Sequence, residues 1–270
     1  MSAALAHRVE GSGPPVLLLN GGMMSISSWD TIASQLTRRF MVIRCDFRGQ
    51  LLSPGEAPED LDGHAADVAR LLDHLELPAV NVVGTSFGAE VGVVLAAGFP
   101  RRVTSLIAAT AVDFAPPEMQ RLGETLIAAG RAAVSEGRRL EYFAELSRII
   151  YSPHYLAAHL SEFAEREAEL TSLPETWFAG VERLLVATST ADLRPLLGDI
   201  RCPTLVVLAS EDRLMPAERS RALAGGIAGA ELVEVAGSGH ALVVERPDLF
   251  VDLVAAFLER HTGGKSAEFC

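Results

Sequence analysis

The chain has 270 residues, of which 49% are hydrophobic and 21% are charged, and its formal net charge is −12. This length suffices for one large domain, or for one domain with an insertion, and the composition is typical of a globular enzyme. The acidic balance, without basic runs, argues against a nucleic-acid partner or an anionic membrane surface.

No apolar segment is long enough to cross a membrane, and the N-terminal stretch MSAALAHRVEGSGPP lacks the continuous apolar run of a secretory signal. The three cysteines, Cys45, Cys202 and Cys270, are scattered and show no C-x-x-C spacing, which is typical of reduced thiols. We therefore expect a cytoplasmic protein with no membrane partner. A homodimer is a possible assembly.

Short apolar runs alternate with helical patterns along the chain. The apolar runs predict strands at 16–19, 40–45, 80–83, 103–109, 204–208 and 232–235. Helical periodicity predicts helices at 29–36, 61–77, 87–99 and 247–260. The residues before Val16 are predicted to form an antiparallel hairpin at the sheet edge. Together these patterns predict an α/β fold with a mostly parallel central sheet flanked by helices on both faces.

A helical insertion is predicted at 114–192, where several apolar stripes recur at helical spacing and no strand pattern is convincing. The stripes comprise Leu140, Phe143, Ser147 and Ile150; Leu156, Leu160 and Phe163; and Trp177, Val181, Leu184 and Thr188. Because open α/β sheets place their sites at the carboxyl ends of the strands, we expect a lid there, inserted after the sixth strand. The chain would then have a core of residues 1–113 and 193–270 and a cap of residues 114–192.

The most informative motif is G-T-S-F-G at residues 84–88. It follows a β-type apolar run and directly precedes a helical pattern, which is the context of a nucleophile elbow. Such a turn leaves no room for side chains at Gly84 and Gly88, and it exposes the serine hydroxyl at a helix N-terminus, which favours negative charge. We expect Ser86 to be a catalytic nucleophile. The alternative is a glycine-rich turn with an incidental serine.

A serine nucleophile needs a base, and the base needs an orienting carboxylate. Asp212 and His240 each follow a predicted strand, so both lie in loops at the same sheet edge as Ser86. The chain order Ser…Asp…His is the one expected for this type of elbow. We predict that His240 is the base and Asp212 the orienting acid, with Glu211 and Asp113 as alternative acids.

An oxyanion hole needs two backbone N–H groups. One is expected from Phe87, the residue after the nucleophile, and the other from the glycine-containing loop at 20–24. Glycines allow that loop to approach a substrate carbonyl closely. We predict the N–H of Gly22 in this role, with that of Met23 next. An ordinary Gly-Gly turn is the other interpretation.

The remaining histidines do not indicate a metal site. His154 and His159 are five residues apart and so do not share a helix face. His64 and His74 fall on the polar side of their predicted helix, where we expect both to be solvated. With no Walker loop and no G-x-G-x-x-G motif, we expect neither a metal nor a cofactor.

With these motifs placed, the chain resembles the α/β-hydrolase superfamily over nearly its whole length. The matching segments are Asn20-Gly21-Gly22…Trp29, Asp46-Phe47-Arg48-Gly49, Gly84–Gly88, Asp212…Pro216 and Gly239-His240…Glu245-Arg246-Pro247. The segments at Asn20 and Asp46 are similar to those of 3-oxoadipate enol-lactonases. The chain departs from them at Gln50-Leu51-Leu52-Ser53, where such relatives usually carry H-G-x-S, and two leucines near the pocket would alter the substrate admitted.

The resemblance implies a serine hydrolase that cleaves a carboxylic ester through an acyl-enzyme, with enol-lactone or other lactone hydrolysis as the close alternative. Carbon–carbon bond hydrolysis, thioester hydrolysis and perhydrolysis on the same triad stay open, as does a non-catalytic ligand receptor of this fold.

We expect a small ester or lactone to bind in a largely apolar pocket, bounded by Met23 and Met24 below and by Trp177 above. Such a pocket should prefer short to medium uncharged acyl groups, since a desolvated carboxylate without a partner is costly. An enol-lactone substrate would instead need an inward-facing lid arginine. The candidates for that arginine are Arg121, Arg131, Arg148 and Arg183.

Overall fold

The computed structural model describes residues 5–53 and 55–262. Within them the strands are β1 (His7–Glu10), β2 (Pro15–Leu19), β3 (Met41–Cys45), β4 (Val80–Thr85), β5 (Val103–Ala109), β6 (Thr204–Ala209) and β7 (Glu231–Val235). They form one sheet in the order β1-β3-β2-β4-β5-β6-β7. β1 runs antiparallel to β3, and all other neighbours are parallel. The predicted α/β architecture is confirmed.

Helices cover both faces of this sheet. One face carries α1 (Asp30–Leu36), which follows a 3₁₀ turn (Ile26–Trp29), and α11 (Pro247–Thr262); the other carries α2 (Leu61–His74) and α3 (Phe87–Gly98). Along β2, Leu17 and Leu19 pack towards α2 and α3, whereas Val16 and Leu18 pack towards α1 and α11. Burial of both faces explains why the strands appear in the sequence as continuous apolar runs.

The antiparallel pairing predicted at the sheet edge is present, but the prediction of a two-stranded hairpin there is wrong. The described residues before Val16 provide a single strand, β1, which pairs with β3 rather than with β2. Between β1 and β2 the chain turns at Gly11 and Gly13, which have φ values of 77° and 111°, and it passes close to the backbone of Phe40. Because one strand replaces two, the helical insertion follows the fifth strand, β5, and not a sixth.

The insertion contains α4 (Pro117–Ser135), α5 (Arg139–Ile150), α6 (Pro153–Ala158), α7 (Leu160–Leu170) and α8 (Glu175–Thr190). An antiparallel bridge joins Phe114 to Asp192, the first and last residues of the predicted insertion. The division into core and cap domains stays a prediction. A 3₁₀ turn (Arg194–Asp199), α9 (Ala217–Gly226) and α10 (Leu242–Glu245) complete the described helices, none of which could span a lipid bilayer.

Two of the predicted apolar stripes contain exposed residues, whereas the third, on α8, is buried. Leu140 is 53% exposed because it lies in the first turn of α5, whose buried face is centred on Phe143 and Leu146. Leu160 is 69% exposed because α6 ends and α7 begins at His159, so no single helix face joins the residues of that stripe.

Candidate active site

Ser86 lies at the turn between β4 and α3, at the carboxyl edge of the sheet. Its backbone has φ 54° and ψ −128°, a strained conformation for a residue other than glycine. A side chain at Gly84 would clash with the carbonyl of Gly88, and one at Gly88 would clash with the carbonyl of Leu19. The close backbone packing therefore holds the half-buried hydroxyl at the N-terminus of α3.

The three polar side chains predicted from the sequence form a continuous hydrogen-bonded chain here. The Nε2 atom of His240 lies 2.9 Å from Oγ of Ser86, and its Nδ1 lies 2.8 Å from Oδ2 of Asp212. Oδ1 of Asp212 accepts the N–H groups of Leu214 and Met215, both at 2.8 Å. With Nδ1–H donating to the buried carboxylate, the lone pair of Nε2 faces the hydroxyl, as a general base requires.

The alternative acids lie elsewhere. The carboxylate of Asp113 accepts the N–H of Phe114 at 3.1 Å and lies 3.7 Å from a guanidinium nitrogen of Arg219. Glu211 is exposed at the protein surface. Neither is hydrogen-bonded to His240, which is paired with Asp212.

Three backbone N–H groups on the wall beside Ser86 have no acceptor within the described residues. They belong to Gly22, Met23 and Phe87. A Cβ added to Gly21 would lie 3.6 Å from the Cβ of Ser86, so the loop passes directly beside the hydroxyl. The N–H of Phe87 belongs to the first turn of α3, where the helix dipole is positive. These donors can stabilise an oxygen that becomes negative when its carbon bonds to Ser86.

A buried hydrogen-bond network supports the loop after β2. Nδ2 of Asn20 donates to Oδ1 of Asp46 at 3.0 Å, and its Oδ1 accepts Nε1–H of Trp29 at 2.8 Å. The carboxylate of Asp46 also accepts the N–H groups of Ile26 and Leu52. Asn20 and Asp46 match a family pattern in the sequence, but that pattern alone indicates no role for them. The signal available in the sequence was that each residue directly follows a predicted strand.

Glu245 joins the loop that carries His240 to the helical insertion. Its Oε1 accepts the N–H groups of Ser152 at 2.8 Å and of Gly239 at 3.2 Å. Its Oε2 accepts the hydroxyl of Ser152 at 2.7 Å. One buried carboxylate thus satisfies three donors from two loops, a contact that the sequence pattern does not reveal.

Two further contacts join α8 to the core. Gly180 packs against the carbonyl of Gly49 so closely that any side chain at 180 would clash. Further along α8, the hydroxyl of Thr188 donates to Oε2 of Glu90 at 2.9 Å. Glu90 is buried one helical turn after Ser86, and burial raises its pKa to about 8. Its carboxyl group is therefore mostly protonated at neutral pH.

A cavity of about 430 Å³ lies above Ser86, beneath the helices of the insertion. Met23, Met24 and Trp177, the residues predicted to contact substrate, all line it. Other apolar wall residues include Leu126, Phe143, Leu146, Ile150, Leu184 and Leu214. The space is large enough for a small organic ligand and is lined mainly by apolar side chains.

The cavity wall does not include Phe178, Leu51 or Leu52. Phe178 lines a separate groove of about 410 Å³ between α4 and α8. Leu51 and Leu52 are 44% and 53% exposed, and neither lines the cavity. The expectation that these two leucines lie near the pocket is therefore wrong, because their loop directs them to solvent.

None of the four lid arginines considered as carboxylate ligands lines the cavity. Surface ion pairs join Arg131 to Glu182, Arg148 to Glu145 and Arg183 to Glu56. Arg121 is exposed. The arginine that does line the cavity is Arg166 on α7, next to Glu167. Arg166 is exposed to solvent, and among the described residues it has no hydrogen bond or ion pair.

His64 is buried, not solvated as predicted, whereas His74 is exposed. The His64 ring packs edge-on against Phe47 and Phe87, with centroid distances of 5.5 and 4.9 Å. The chain after β3 covers this side of α2, which the helical pattern alone could not reveal. Burial lowers the pKa of His64 to about 4.

Cys45 and Cys202 are free thiols, and Cys270 lies outside the described residues. Over residues 5–53 and 55–262, no group of three or more His, Cys, Asp or Glu side chains is arranged to hold a metal ion.

The fold and the geometry around Ser86 agree with a comparison against protein families. A family model described as the alpha/beta hydrolase fold matches residues 14–247, a span that includes Ser86, Asp212 and His240. The chain belongs to the α/β-hydrolase family. The match also covers the helical insertion that forms the roof of the cavity.

This α/β-hydrolase is similar to proteins with differing names. It is 30% identical over 263 residues to "Putative carbamate hydrolase RutD" of Azorhizobium caulinodans, covering 94% of this chain and 95% of that protein. An α/β-hydrolase from a Medee basin deep-sea metagenome library has a TM-score of 0.89 and 26% identity, with 98% and 96% of the two chains covered. The enol-lactonase of Burkholderia xenovorans has a TM-score of 0.83 and 26% identity, with 94% and 96% covered.

Proposed function

We propose that this α/β-hydrolase cleaves small carboxylic esters through an acyl-enzyme on Ser86. The observation that carries the proposal is the hydrogen-bonded chain of Ser86, His240 and Asp212, with distances of 2.9 and 2.8 Å. This arrangement lets a neutral imidazole take a proton from the hydroxyl while a fixed carboxylate stabilises the imidazolium.

In the first half-reaction, Oγ of Ser86 attacks the ester carbonyl carbon while Nε2 of His240 takes the hydroxyl proton. The carbonyl electron pair moves to oxygen, and the N–H groups of Phe87 and Gly22 stabilise the resulting charge. When the tetrahedral intermediate collapses, its bond to the alcohol oxygen breaks. Nε2 returns the proton to that leaving oxygen, and the acyl group remains on Ser86.

In the second half-reaction, water attacks the acyl carbon while His240 again takes a proton. Collapse of this intermediate breaks the bond to Oγ, which recovers its proton from Nε2. The products are a carboxylic acid and the free Ser86 hydroxyl. Asp212 remains ionised throughout, because it holds Nδ1–H and does not itself accept the proton.

The apolar wall favours uncharged acyl groups of short to medium length. Met23, Met24 and Trp177 offer apolar contact but no partner for a charged group, and the volume is about 430 Å³. We therefore expect hydrolysis rates to rise from acetate to butyrate esters, since each buried methylene group adds favourable apolar contact.

One observation favours hydrolysis of a lactone that carries a carboxylate as a second candidate. Arg166 lines the cavity without an ion pair of its own. The likeness to an enol-lactonase, a protein named for a cyclic ester substrate, is compatible with it. Carbamate cleavage, named in the relative from Azorhizobium caulinodans, would use the same attack on a carbonyl carbon.

A substrate panel tests these proposals. Purified protein is assayed with p-nitrophenyl acetate and butyrate, an enol-lactone with and without a carboxylate, a thioester, and an alkyl carbamate. Ser86→Ala should reduce turnover by about 10⁴-fold or more, whereas Ser34→Ala at an exposed site should not. Retention of more than about a tenth of activity in Ser86→Ala would remove Ser86 as nucleophile.

The ester and lactone proposals are separated by Arg166→Gln, with Arg121→Gln as the control, because Arg121 is also exposed but does not line the cavity. If Arg166→Gln lowered kcat/KM for the enol-lactone that carries a carboxylate but not for p-nitrophenyl butyrate, the result would favour the lactonase. Absence of turnover for the whole panel, together with no labelling of Ser86 by phenylmethylsulfonyl fluoride, would favour a non-catalytic receptor.

A further inference from the structure

Gln50 is a buried amide in the loop after β3, beside the loop that offers Gly22 and Met23. Its Nε2 donates to the carbonyl oxygens of Gly21 at 2.9 Å and of Gly22 at 3.3 Å. Its Oε1 accepts Nδ2–H of Asn20 at 3.0 Å and the N–H of Phe47 at 2.9 Å. Both donors and both acceptors of the amide are therefore in use.

The direction of this amide is determined by its neighbours. The N–H of Phe47 can only donate, so Oε1 of Gln50 must face it, and Nε2 must then face the two glycine carbonyls. The same reasoning directs the side chain of Asn20, because the indole N–H of Trp29 is also only a donor. Neither amide can be reversed without placing donor against donor.

The hydrogen bonds of Gln50 also determine which way two peptide N–H groups point. No peptide bond in the described chain is cis, and in a trans peptide the carbonyl oxygen and the following N–H point in opposite directions. With the carbonyl of Gly21 held by Gln50, the N–H of Gly22 points away from Gln50. With the carbonyl of Gly22 held likewise, the N–H of Met23 also points away from it.

Little else restrains these peptide planes. Consecutive glycines allow many backbone conformations, so this segment has a low intrinsic preference for one orientation. Gln50 is the only side chain within the described residues that donates to the carbonyl of either Gly21 or Gly22. The carbonyl of Gly21 accepts one further bond, from the N–H of Met24 at 3.1 Å.

We propose that Gln50 is a positioning residue for the oxyanion hole, holding two adjacent peptide planes so that the N–H groups of Gly22 and Met23 face the carbonyl oxygen of a substrate on Ser86. This inference rests on the proposed hydrolase function. It gives a structural role to Gln50, a position at which the chain departs from the enol-lactonase pattern.

Gln50→Met tests the inference because methionine has a similar length and volume but neither donates nor accepts here. Donors that stabilise the transition state affect kcat more than ground-state binding, so kcat for p-nitrophenyl butyrate should fall about 10- to 100-fold. KM should remain within about threefold of wild type. Gln50→His should recover part of the loss, since a neutral imidazole supplies one donor and one acceptor.

A matched pair of ligands separates positioning from general loosening of the loop. A trifluoromethyl ketone bonds to Oγ of Ser86, transfers the hydroxyl proton to His240 and places a negative oxygen in the hole. The methyl ketone of the same chain length binds without forming this adduct. Gln50→Met should weaken binding of the trifluoromethyl ketone about as much as it lowers kcat, and leave the methyl ketone unaffected.

Ser53→Ala is the control within the same loop. Ser53 is buried, and its hydroxyl donates to the carbonyl of Asp46 at 2.6 Å, but it makes no bond to Gly21 or Gly22. The control should lower thermal stability without changing the ratio of the two ketone affinities. An equal change in that ratio for Ser53→Ala and Gln50→Met would overturn the inference.

A structure of the wild-type adduct keeps the inference testable if Gln50→Met does not fold. The oxyanion should contact the N–H of Gly22 or Met23 while the carbonyl of Gly21 remains bonded to Gln50. An oxyanion held by other donors would overturn the role of Gln50, as would wild-type kcat in Gln50→Met. Wild-type protein that neither turns over esters nor forms the adduct would instead overturn the proposed function, and this inference with it.

Discussion

Glu90 and Thr188 connect the helix that begins after Ser86 to the last helix of the insertion, through a hydrogen bond of 2.9 Å. Burial favours the neutral form of the Glu90 carboxyl and raises its pKa from 4.5 to about 8. An unfolded chain releases this proton at lower pH than the folded protein does. The contribution of the Glu90 carboxyl to the free energy of unfolding is therefore complete below pH 4.5, and it is lost as the pH rises towards 8.

Glu90→Gln should remove this pH dependence, because glutamine is neutral and can still accept the bond from Thr188. Urea unfolding should give similar stabilities for wild type and variant near pH 5, and a more stable variant near pH 8.5, by about 3 kcal/mol. Glu124→Gln, at an exposed position, should show no such divergence. Parallel stability curves for wild type and Glu90→Gln would contradict the prediction.

His64 should give stability the opposite pH dependence to that from Glu90, with a loss of stability at acid pH. Its pKa is lowered from 6.5 to about 4 by burial, so the folded protein favours the neutral ring. That contribution is complete above pH 6.5 and is lost as pH falls through 4, at a cost of about 3 kcal/mol. His64→Leu should flatten the acid limb of a plot of unfolding free energy against pH, and exposed His74→Leu should not. An unchanged acid limb in His64→Leu would count against this explanation.

Asp212→Asn should lower kcat for an ester substrate by about 10⁴-fold, because an amide can hold the imidazole in the wrong tautomer. Asp113→Asn is the comparison, since this carboxylate also follows a sheet strand but is not bonded to His240. Its kcat should stay within about tenfold of wild type. Steady-state kinetics on both folded variants provides the check, and the reverse ranking would place the orienting acid at Asp113.

Trp177→Ala should lengthen the acyl chain that the cavity accepts. Removal of the indole enlarges the roof, so kcat/KM for octanoate relative to butyrate esters should rise by about tenfold. Phe178→Ala is a closely matched control, because Phe178 is the next residue but lines a different groove. If both variants changed the ratio alike, the effect would come from loosening of α8 and not from cavity volume.

The elements that were predictable from sequence are those whose pattern is local. The run from Val80 to Gly88 specifies a buried strand and a tight turn within a few residues, and the structure has both. A continuous apolar run also identifies a buried strand without any knowledge of which strands pair with it. The hairpin at the edge was mispredicted because the pairing of β1 with β3, which is distant in sequence, leaves no local pattern.

Contacts between distant loops were not predictable for the same reason. Glu245 and Ser152 are separated by 93 positions, and neither carries a local signature of the other. The burial of His64 likewise depends on the chain around Phe47, which lies outside the periodicity of α2. Gln50 could be recognised as a departure from a family pattern, but its four partners appear only when the loops after β2 and β3 are adjacent.

Three of the contacts between the insertion and the core, at Ser152, Gly180 and Thr188, also limit how this chain can be recombined. Replacing the insertion with one that lacks a hydroxyl at position 152 would leave Oε2 of Glu245 buried without this donor, next to the loop of His240. A transplanted helix with any residue larger than glycine at 180 would collide with Gly49. A chimaera would therefore have to exchange the core partners of these contacts together with the helices, since the same contacts tie the roof of the cavity to the loop of His240.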